Sequence, residues 1–271
     1  MTNDVDCFVI GLGIKSYLQL TREAEQALSA SKEVHYLHSD PTVASYLESR
    51  VPIARSLEDC YNEGEPRQLA YRRMFGRVIE AILNSTPVAV AIYGNPAVLV
   101  NLTWALDEWA CENNRIIDVL PGVSALDCML VDLGIDPAEG MLSYEANDLL
   151  IHKKPLIPDI HLFLWQIGSV ESELFSWGES KPERFLGITD FLLKAYPPEH
   201  EVIAVSCASS PIVASSVKSV PLKQLPTLSR YLDYSATLYI PPLRCTRERS
   251  VYHRELLHSR KHLDRILKTV S

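Results

Sequence analysis

The sequence predicts an α/β protein with two domains. Short apolar runs that end in Gly, Pro, Asp or Ser alternate with longer stretches of helical period, which is typical of βα units around a largely parallel sheet. This alternation starts again after Pro121 and Gly122. A length of 271 residues with 47% hydrophobic residues suits two modest domains. We expect an N-terminal α/β domain over residues 1–122, a C-terminal α/β domain over residues 123–247 and a terminal helix over residues 248–271.

The first domain is predicted to contain four strands with helices between them. Thr21 is predicted to cap a helix that extends to Ala30, because its hydroxyl can accept a hydrogen bond from the first helical turn. Apolar residues recur at about four-residue spacing over residues 74–83 and 98–109, so both stretches should be helices packed on the sheet. The strands are expected at residues 5–10, 34–37, 88–93 and 116–120.

The second domain is predicted from weaker signals of the same kind. A helix is expected over residues 183–196, where Pro197 and Pro198 end it. The Pro-rich residues 153–159 are expected to form a surface connection. Strands are predicted at residues 161–165, 202–207 and 236–240.

Composition excludes several classes of function. The net charge of -8 argues against the clustered basic surface that nonspecific nucleic-acid binding needs. The six cysteines are far apart and form no C-x-x-C motif, so we expect reduced thiols and no metal site. The N-terminus is acidic where a secretory signal is basic, and no stretch is long enough for a membrane span. We expect a cytoplasmic protein with no nucleic-acid or membrane partner.

Two glycines follow the first predicted strand. Gly11 and Gly13 permit either a sharp turn or the close approach of the backbone to a ligand. The residues after Gly13 include no third glycine at the start of a helix, which argues against a dinucleotide site. A tight turn without a ligand and a cofactor contact are both consistent with this pattern.

Two later turns also permit two interpretations. Tyr93 to Pro96 follow a buried strand, at the edge where open α/β sheets bind ligands. The same residues could begin a helix, with Asn95 as its N-cap and Pro96 in its first position. Ser124 lies after Pro121 and Gly122, and it could contact a ligand or only cap a helix.

A third feature is a set of chemically active side chains in a polar stretch ahead of an amphipathic helix. Tyr61, Arg67 and Tyr71 bring two phenols and a guanidinium together. Without further information, solvated side chains at the edge of the core are the simpler explanation.

Taken in order, these motifs resemble the tetrapyrrole methylase superfamily and, within it, the borosin peptide α-N-methyltransferases, which methylate backbone amides of a ribosomal precursor peptide. The resemblance covers roughly residues 5–242. It begins at Gly11 and Gly13, and its most specific parts are AIYGNP (91–96), LPGVSALDC (120–128), DLGIDP (132–137), SYEA (143–146), LWQIG (164–168) and TLYIPP (237–242).

The resemblance implies a two-domain tetrapyrrole-methylase-like fold, a homodimer, and S-adenosylmethionine bound in the cleft between the domains, with S-adenosylhomocysteine as its product. By matching positions, and including the two glycines of the first turn, the residues that it assigns to the cofactor site are Gly11, Gly13, Tyr93, Asn95, Val98, Leu99, Ser124, Ala125, Gln166 and Thr237.

The resemblance also implies catalytic roles, because the borosin branch has a Tyr, an Arg six residues later and a Tyr four residues after that, as Tyr61, Arg67 and Tyr71 do here. A peptide amide nitrogen is a poor nucleophile, so its methylation requires proton removal or stabilisation of an oxyanion. We hypothesise that Arg67 stabilises the oxyanion and favours a neighbouring phenolate, and that Tyr71 is the base, directly or through water. Tyr61 would orient the amide, and Tyr93 would position the amide and the sulfonium.

Some positions depart from the family pattern. The sequence after Gly13 lacks the G-x-G-P-G-D-P-like start of porphyrin-modifying relatives, which counts against a tetrapyrrole substrate. Asn95 replaces a common His, and Glu58 stands where some relatives have a further Tyr. Because the chain ends at Ser271, we expect the precursor peptide to be a separate polypeptide. A homodimer of this chain that holds two precursor peptides would be a heterotetramer. The alternatives are a methylase of a tetrapyrrole or other small molecule, and a catalytically silent partner that only binds the precursor.

Overall fold

The structure is a computed structural model, and it describes residues 5–243 and 250–267. Two five-stranded sheets are joined by a short connection at residues 121–124. The predicted domain boundary between residues 122 and 123 falls within this connection. In the described ranges, no helix has the length and apolar character that crossing a membrane requires. Five cysteines are free thiols, and Cys245 lies outside the described residues.

The first sheet is parallel throughout, with the strand order β3-β2-β4-β1-β5. All five residues of β4 are buried, as expected for a central parallel strand with helices on both faces. The four predicted strands are confirmed, and a fifth, the edge strand β3, was not predicted. The strands are β1 (Cys7–Gly11), β2 (Glu33–Leu37), β3 (Ile53–Ser56), β4 (Val88–Ile92) and β5 (Ile117–Leu120).

Helices cover both faces of this sheet. On one face lie α1 (Arg22–Ala30) and α2 (Pro41–Glu48), and on the other lie α3 (Arg67–Asn84) and α4 (Asn101–Glu112). Thr21 caps α1 as predicted. The chain leaves β1 toward one face and leaves the neighbouring strand β4 toward the other, so their carboxyl ends form a topological switch point. Open α/β sheets bind ligands at such points.

The turn after β4 is a loop and does not begin a helix. The Asn95 side chain accepts a hydrogen bond from the Ala97 N–H at 2.9 Å, and α4 begins only at Asn101. The interpretation of Asn95 as an N-cap with Pro96 in the first helical position is therefore wrong. Val98 lies in this loop rather than in the predicted helix.

The second sheet is mixed, with the order β6-β7-β10-β8-β9, and is not the largely parallel sheet that was predicted. Only β6 and β7 are parallel. The strands β8, β9 and β10 pair antiparallel because no helical crossover of the βαβ type connects them. The strands are β6 (Met141–Glu145), β7 (His161–Trp165), β8 (Glu201–Ser206), β9 (Ser216–Pro221) and β10 (Thr237–Ile240).

The helices of the second half are short. One face of the second sheet packs against α5 (Ala125–Leu133), and the other packs against α6 (Ala146–Ile151) and α7 (Leu186–Leu192). The stretch predicted as one helix over residues 183–196 is a 3-10 turn, Pro182–Phe185, followed by α7. The predicted terminal helix is two helices, α8 (Val251–Leu256) and α9 (Arg260–Ile266), separated at the N-cap Ser259. Its remaining residues, 248–249 and 268–271, lie outside the described ranges.

Candidate active site where the two sheets meet

Three glycines bring the loops after β1, β4 and β5 into direct backbone contact. A Cβ atom on Gly11 would lie 2.5 Å from the carbonyl oxygen of Gly94 and 2.7 Å from the Cα of Gly122. A Cβ atom on Gly122 would lie 2.7 Å from the same oxygen. These separations are shorter than real carbon contacts, so Gly11 and Gly122 each exclude a side chain. We call Gly11, Gly94 and Gly122 the glycine cluster.

Gly13 is hydrogen-bonded to the glycine cluster, and its own backbone conformation and surroundings require glycine. Its φ of 76° lies in the left-handed region, and a Cβ atom there would meet the Gln19 Cβ at 2.3 Å. Gly13 and Gly94 exchange backbone hydrogen bonds of 3.2 and 2.9 Å. Packing therefore accounts for both predicted glycines, Gly11 and Gly13, and their contact with a cofactor stays a prediction.

Tyr93 is the first residue after β4, and groups from both halves of the chain surround it. Its ring lies 5.4 Å from that of His38, which follows β2. Burial raises the pKa of the Tyr93 phenol, and Cys207, Cys128 and Tyr234 raise it further. At physiological pH, Tyr93 is thus a neutral hydroxyl that can donate a hydrogen bond, and it is not a base.

A loop of the second half crosses to the first half. We call residues 172–177 the bridging segment. Phe175 accepts a hydrogen bond from the Gly64 N–H and donates its own N–H to the Glu65 carbonyl, both at 2.8 Å. The backbone immediately ahead of α3 is therefore held by the second half of the chain.

Arg67 connects the predicted catalytic residues to the predicted cofactor residues. It is the first residue of α3, and its N–H donates to the Glu173 carbonyl at 3.0 Å. Its guanidinium donates to the Ser172 carbonyl and to Oε1 of Gln166, both at 3.3 Å. Gln166 follows β7 with a left-handed φ of 53°. The structure thus brings together two predicted site residues from different halves of the chain.

The two tyrosines of the trio lie side by side. The rings of Tyr61 and Tyr71 are 6.3 Å apart and edge to face, and Tyr61 stacks on Phe175 at 4.5 Å. Burial raises the pKa of the Tyr61 phenol, Tyr71 and Glu58 raise it further, and the Arg67 charge lowers it. Burial outweighs the nearby cation, so the expectation that Arg67 favours a neighbouring phenolate does not hold for Tyr61.

These rings continue into a larger set that sequence analysis missed. Phe175 contacts Trp177 at 4.6 Å, and Trp177 contacts Tyr234 at 6.0 Å. Trp177 and Tyr234 are 54% and 52% exposed, so the set ends in an open aromatic surface. We call Tyr71, Tyr61, Phe175, Trp177 and Tyr234 the aromatic cluster.

The predicted cofactor residues near α5 and β10 are largely engaged in the fold. Ser124 forms a capping box with Asp127, which confirms that it caps α5. The Ala125 carbonyl accepts a hydrogen bond from the Cys207 thiol at 3.5 Å. Thr237 is buried at the start of β10.

Val98 and Leu99 differ from these residues because they are exposed. They are 39% and 43% accessible in the loop after β4. Contact of a cofactor with either group of residues stays a prediction.

The fold and the site together define a class: a two-domain α/β protein whose candidate site lies where a parallel sheet with a switch point meets a mixed sheet. The chain belongs to the tetrapyrrole (corrin/porphyrin) methylase family, whose model matches residues 6–226.

Several relatives are named as both a methyltransferase and a ribosomally synthesised cyclic peptide precursor. The chain is 30% identical over 237 residues to the methyltransferase and gymnopeptides precursor of Gymnopus fusipes, covering 86% of this chain and 56% of the relative. It is 31% identical to the dendrothelin A precursor of Dendrothele bispora, covering 86% and 57%, and 30% identical to the omphalotin A precursor of Omphalotus olearius, covering the same shares. This chain spans about half the length of these curated relatives.

Solved structures support the fold. A uroporphyrin-III C-methyltransferase from Thermus thermophilus has a TM-score of 0.59 at 19% identity, covering 87% of this chain and 91% of the other. A cobalt precorrin-4 methyltransferase has a TM-score of 0.61 at 14% identity, covering 87% and 94%. The T. thermophilus enzyme with S-adenosylhomocysteine has a TM-score of 0.57 at 16% identity, covering 87% and 96%.

Proposed function

We propose that this chain is an S-adenosylmethionine-dependent methyltransferase that methylates backbone amides of a ribosomally made precursor peptide. The contact between Arg67 and Gln166 carries the proposal, because it joins the predicted catalytic residues to the predicted cofactor residues. Family membership supports methyl transfer, and the names of the fungal relatives support a peptide substrate.

The residues at the switch point suit the proposed cofactor. S-adenosylmethionine supplies a reactive methyl group on a sulfonium. The glycine cluster keeps side chains away from the carboxyl ends of β1, β4 and β5. Next to it, Val98 and Leu99 present exposed apolar surface on which a flat heterocycle can pack. These residues, with Tyr93, Asn95, Ser124, Ala125, Gln166 and Thr237, would hold the cofactor.

The aromatic cluster favours a peptide over a tetrapyrrole. Its exposed end, Trp177 and Tyr234, offers ring faces and hydroxyl or indole groups, which bind apolar side chains and amides together. A polycarboxylate would instead require several cations, and Arg67 is the one cation among the predicted site residues.

The side chains divide the chemistry between them. Arg67 provides a permanent positive charge that stabilises the amide oxyanion. Tyr71 is the base that takes up the amide proton, directly or through water. Tyr61 and Tyr93, whose pKa values are raised, stay neutral and orient the amide as hydrogen-bond donors.

Co-expression with the peptide encoded by a neighbouring open reading frame, followed by fragment mass spectrometry, tests the proposal. We expect increments of about 14 Da on backbone amides. Arg67→Ala and Tyr71→Phe should slow methylation by about 100-fold or more, while circular dichroism and calorimetric binding of S-adenosylhomocysteine stay unchanged. Arg72→Ala, on the exposed side of α3, is the matched control and should have no effect.

Other outcomes would contradict these assignments. Full methylation by Arg67→Ala would remove the proposed role of the guanidinium. A wild-type protein that binds the peptide without any mass increment would be the silent partner, and methylation of uroporphyrinogen instead of the peptide would favour the small-molecule alternative. A separate precursor, a homodimer and a heterotetramer with two precursors are part of the proposal, and light scattering of the co-expressed complex measures them.

A further inference from the structure

His38 is a buried histidine beside Tyr93 that the proposed function leaves without a role. It is the first residue after β2, and Tyr93 is the first residue after β4. The two strands pair in parallel with Leu37 opposite Ile92, and the Tyr93 N–H donates to the Leu37 carbonyl at 3.3 Å. His38 and Tyr93 are therefore neighbours at the carboxyl edge of the first sheet.

The side chains of these two residues also lie on the same side of the sheet. Successive side chains of a strand alternate between its faces. Tyr36 on β2 and Ala91 on β4 belong to the core beneath α1 and α2, and His38 and Tyr93 each follow two residues later. The two rings are 5.4 Å apart and tilted by 60°. Among the described residues, His38 supplies the one aromatic ring that contacts Tyr93.

The turn that follows β2 holds the imidazole of His38 in one orientation. Its Nδ1 accepts a hydrogen bond from the Asp40 N–H at 3.0 Å. Asp40 is itself fixed, because its carboxylate caps α2 and accepts hydrogen bonds from the N–H and the hydroxyl of Thr42, both at 2.8 Å. Since only 7% of His38 is exposed, the imidazole is a buried ring attached at one edge to a helix cap.

The hydrogen bond from Asp40 also determines which nitrogen of His38 carries the proton. A nitrogen that accepts a hydrogen bond has no hydrogen, so the neutral ring carries its hydrogen on Nε2. Protonation of Nδ1 would abolish this acceptor, and burial lowers the pKa of the imidazole, although the Asp40 charge opposes that change. Nε2 is covered and has no hydrogen-bond partner among the described residues. The polarised edge of the imidazole is thus free to contact an aromatic face, and Tyr93 supplies the neighbouring ring.

We infer that His38 is a positioning residue whose imidazole fixes the orientation of the Tyr93 ring; this inference rests on the proposed function, in which Tyr93 orients the amide. A phenol hydroxyl is displaced when its ring turns, and methyl transfer requires an aligned nucleophile and sulfonium. His38 acts through Tyr93 and takes no part in a covalent step.

NMR tests the inference without any turnover. In protein saturated with S-adenosylhomocysteine, the imidazole 15N signal lost in His38→Asn identifies His38, and the ring 13C signal lost in Tyr93→Phe identifies Tyr93. We expect the Nε2–H tautomer at pH 7 and a rigid Tyr93 ring whose order parameter falls in His38→Asn. An Nδ1–H tautomer, or an unchanged order parameter in His38→Asn, would overturn the inference.

Two substitutions separate the ring contact from the hydrogen bond to the turn. His38→Asn places an amide oxygen where Nδ1 lies, so it can keep the bond from the Asp40 N–H while it removes the ring beside Tyr93. His38→Phe loses that bond but keeps a ring with a positively polarised edge. The Tyr93 ring should therefore be mobile in His38→Asn and rigid in His38→Phe. The reverse order would assign His38 to the turn alone and overturn the inference.

Kinetics on the peptide that the wild type methylates then tests the role. His38→Asn should lower kcat by about 10-fold with little change in KM, and His38→Phe should restore most of the rate. His35→Asn is the matched control, because His35 is a second buried histidine of β2 whose Nε2 lies 3.0 Å from the Glu33 carboxylate. Whatever its effect on Tm, His35→Asn should leave kcat and the Tyr93 order parameter unchanged.

The two ways of failing are distinguishable. A wild-type kcat in His38→Asn would overturn the inference and leave the proposed function standing. A wild-type enzyme that methylates no peptide would contradict the proposed function, whereas the NMR measurements on the S-adenosylhomocysteine complex would still decide whether His38 orients Tyr93.

Discussion

The glycine cluster and the aromatic cluster both bring separate segments of the chain together at the candidate site, but they do so by opposite means. In the glycine cluster, three loops meet through backbone atoms, and a single added carbon would come within 2.5 Å of a carbonyl oxygen. In the aromatic cluster, rings from both halves contact one another at centroid distances of 4.5 to 6.3 Å, and the outer rings remain half-exposed. We therefore expect the glycine cluster to determine whether the site forms and the aromatic cluster to determine how the proposed peptide substrate binds.

Gly11→Ala should have the largest effect on stability. The three atoms nearest to the new methyl group would be backbone atoms of Gly94 and Gly122, which cannot move without displacing β4 and β5. We expect a loss of more than about 4 kcal/mol in the free energy of unfolding, measured by urea denaturation.

Gly76→Ala is the control for this substitution. A Cβ atom there has open space in the middle of α3, so the free energy of unfolding should rise by about 0.5–1 kcal/mol. Equal effects of the two substitutions would show that the glycine cluster is not under steric constraint.

Phe175→Ala should have an intermediate effect. The ring is buried between Tyr61 and Trp177, and its removal leaves a cavity beside Tyr61, whose phenol we propose to orient the amide. We expect a loss of about 3 kcal/mol in urea denaturation and a lower kcat, because Tyr61 loses its stacking partner. Leu174→Ala, in the same segment but 50% exposed, should change both quantities far less. A kcat that is insensitive to Phe175 would separate the aromatic cluster from the chemistry.

Trp177→Ala should have the smallest effect on stability. Since the side chain is 54% exposed, we expect a change below about 1 kcal/mol. The KM for the peptide should nevertheless rise several-fold if this ring binds an apolar substrate side chain. Trp104→Ala, which removes an equally exposed indole from α4, should leave KM unchanged. Identical KM values in the two variants would contradict a role for the exposed aromatic surface in binding.

The first sheet was largely predictable from sequence because buried parallel strands are continuous apolar runs, as in β4. The edge strand β3 was not, since its four residues, Ile53 to Ser56, are partly exposed and include a charge at Arg55. The antiparallel pairing of β8, β9 and β10 was also missed. Strand direction depends on the connections between strands, and hydrophobic pattern does not record it.

The site was predictable only where its residues are close in sequence. The spacing of Tyr61, Arg67 and Tyr71 is visible along one turn and the start of one helix. Their partners Phe175 and Trp177 belong to an irregular loop with no periodicity, and only tertiary packing brings them to Tyr61. The mutual contact of the glycine cluster was hidden for the same reason, although each turn could be located separately.

The bridging segment has a consequence for how the two halves can be inherited or engineered. Its bonds to Gly64, Glu65 and Arg67 complete the backbone hydrogen bonding at the start of α3. A first half expressed alone would lack the partners that hold Arg67 in place. The two halves are separate in their sheets and cores, but the first half depends on the second for the position of Arg67, the arginine that we propose to be catalytic.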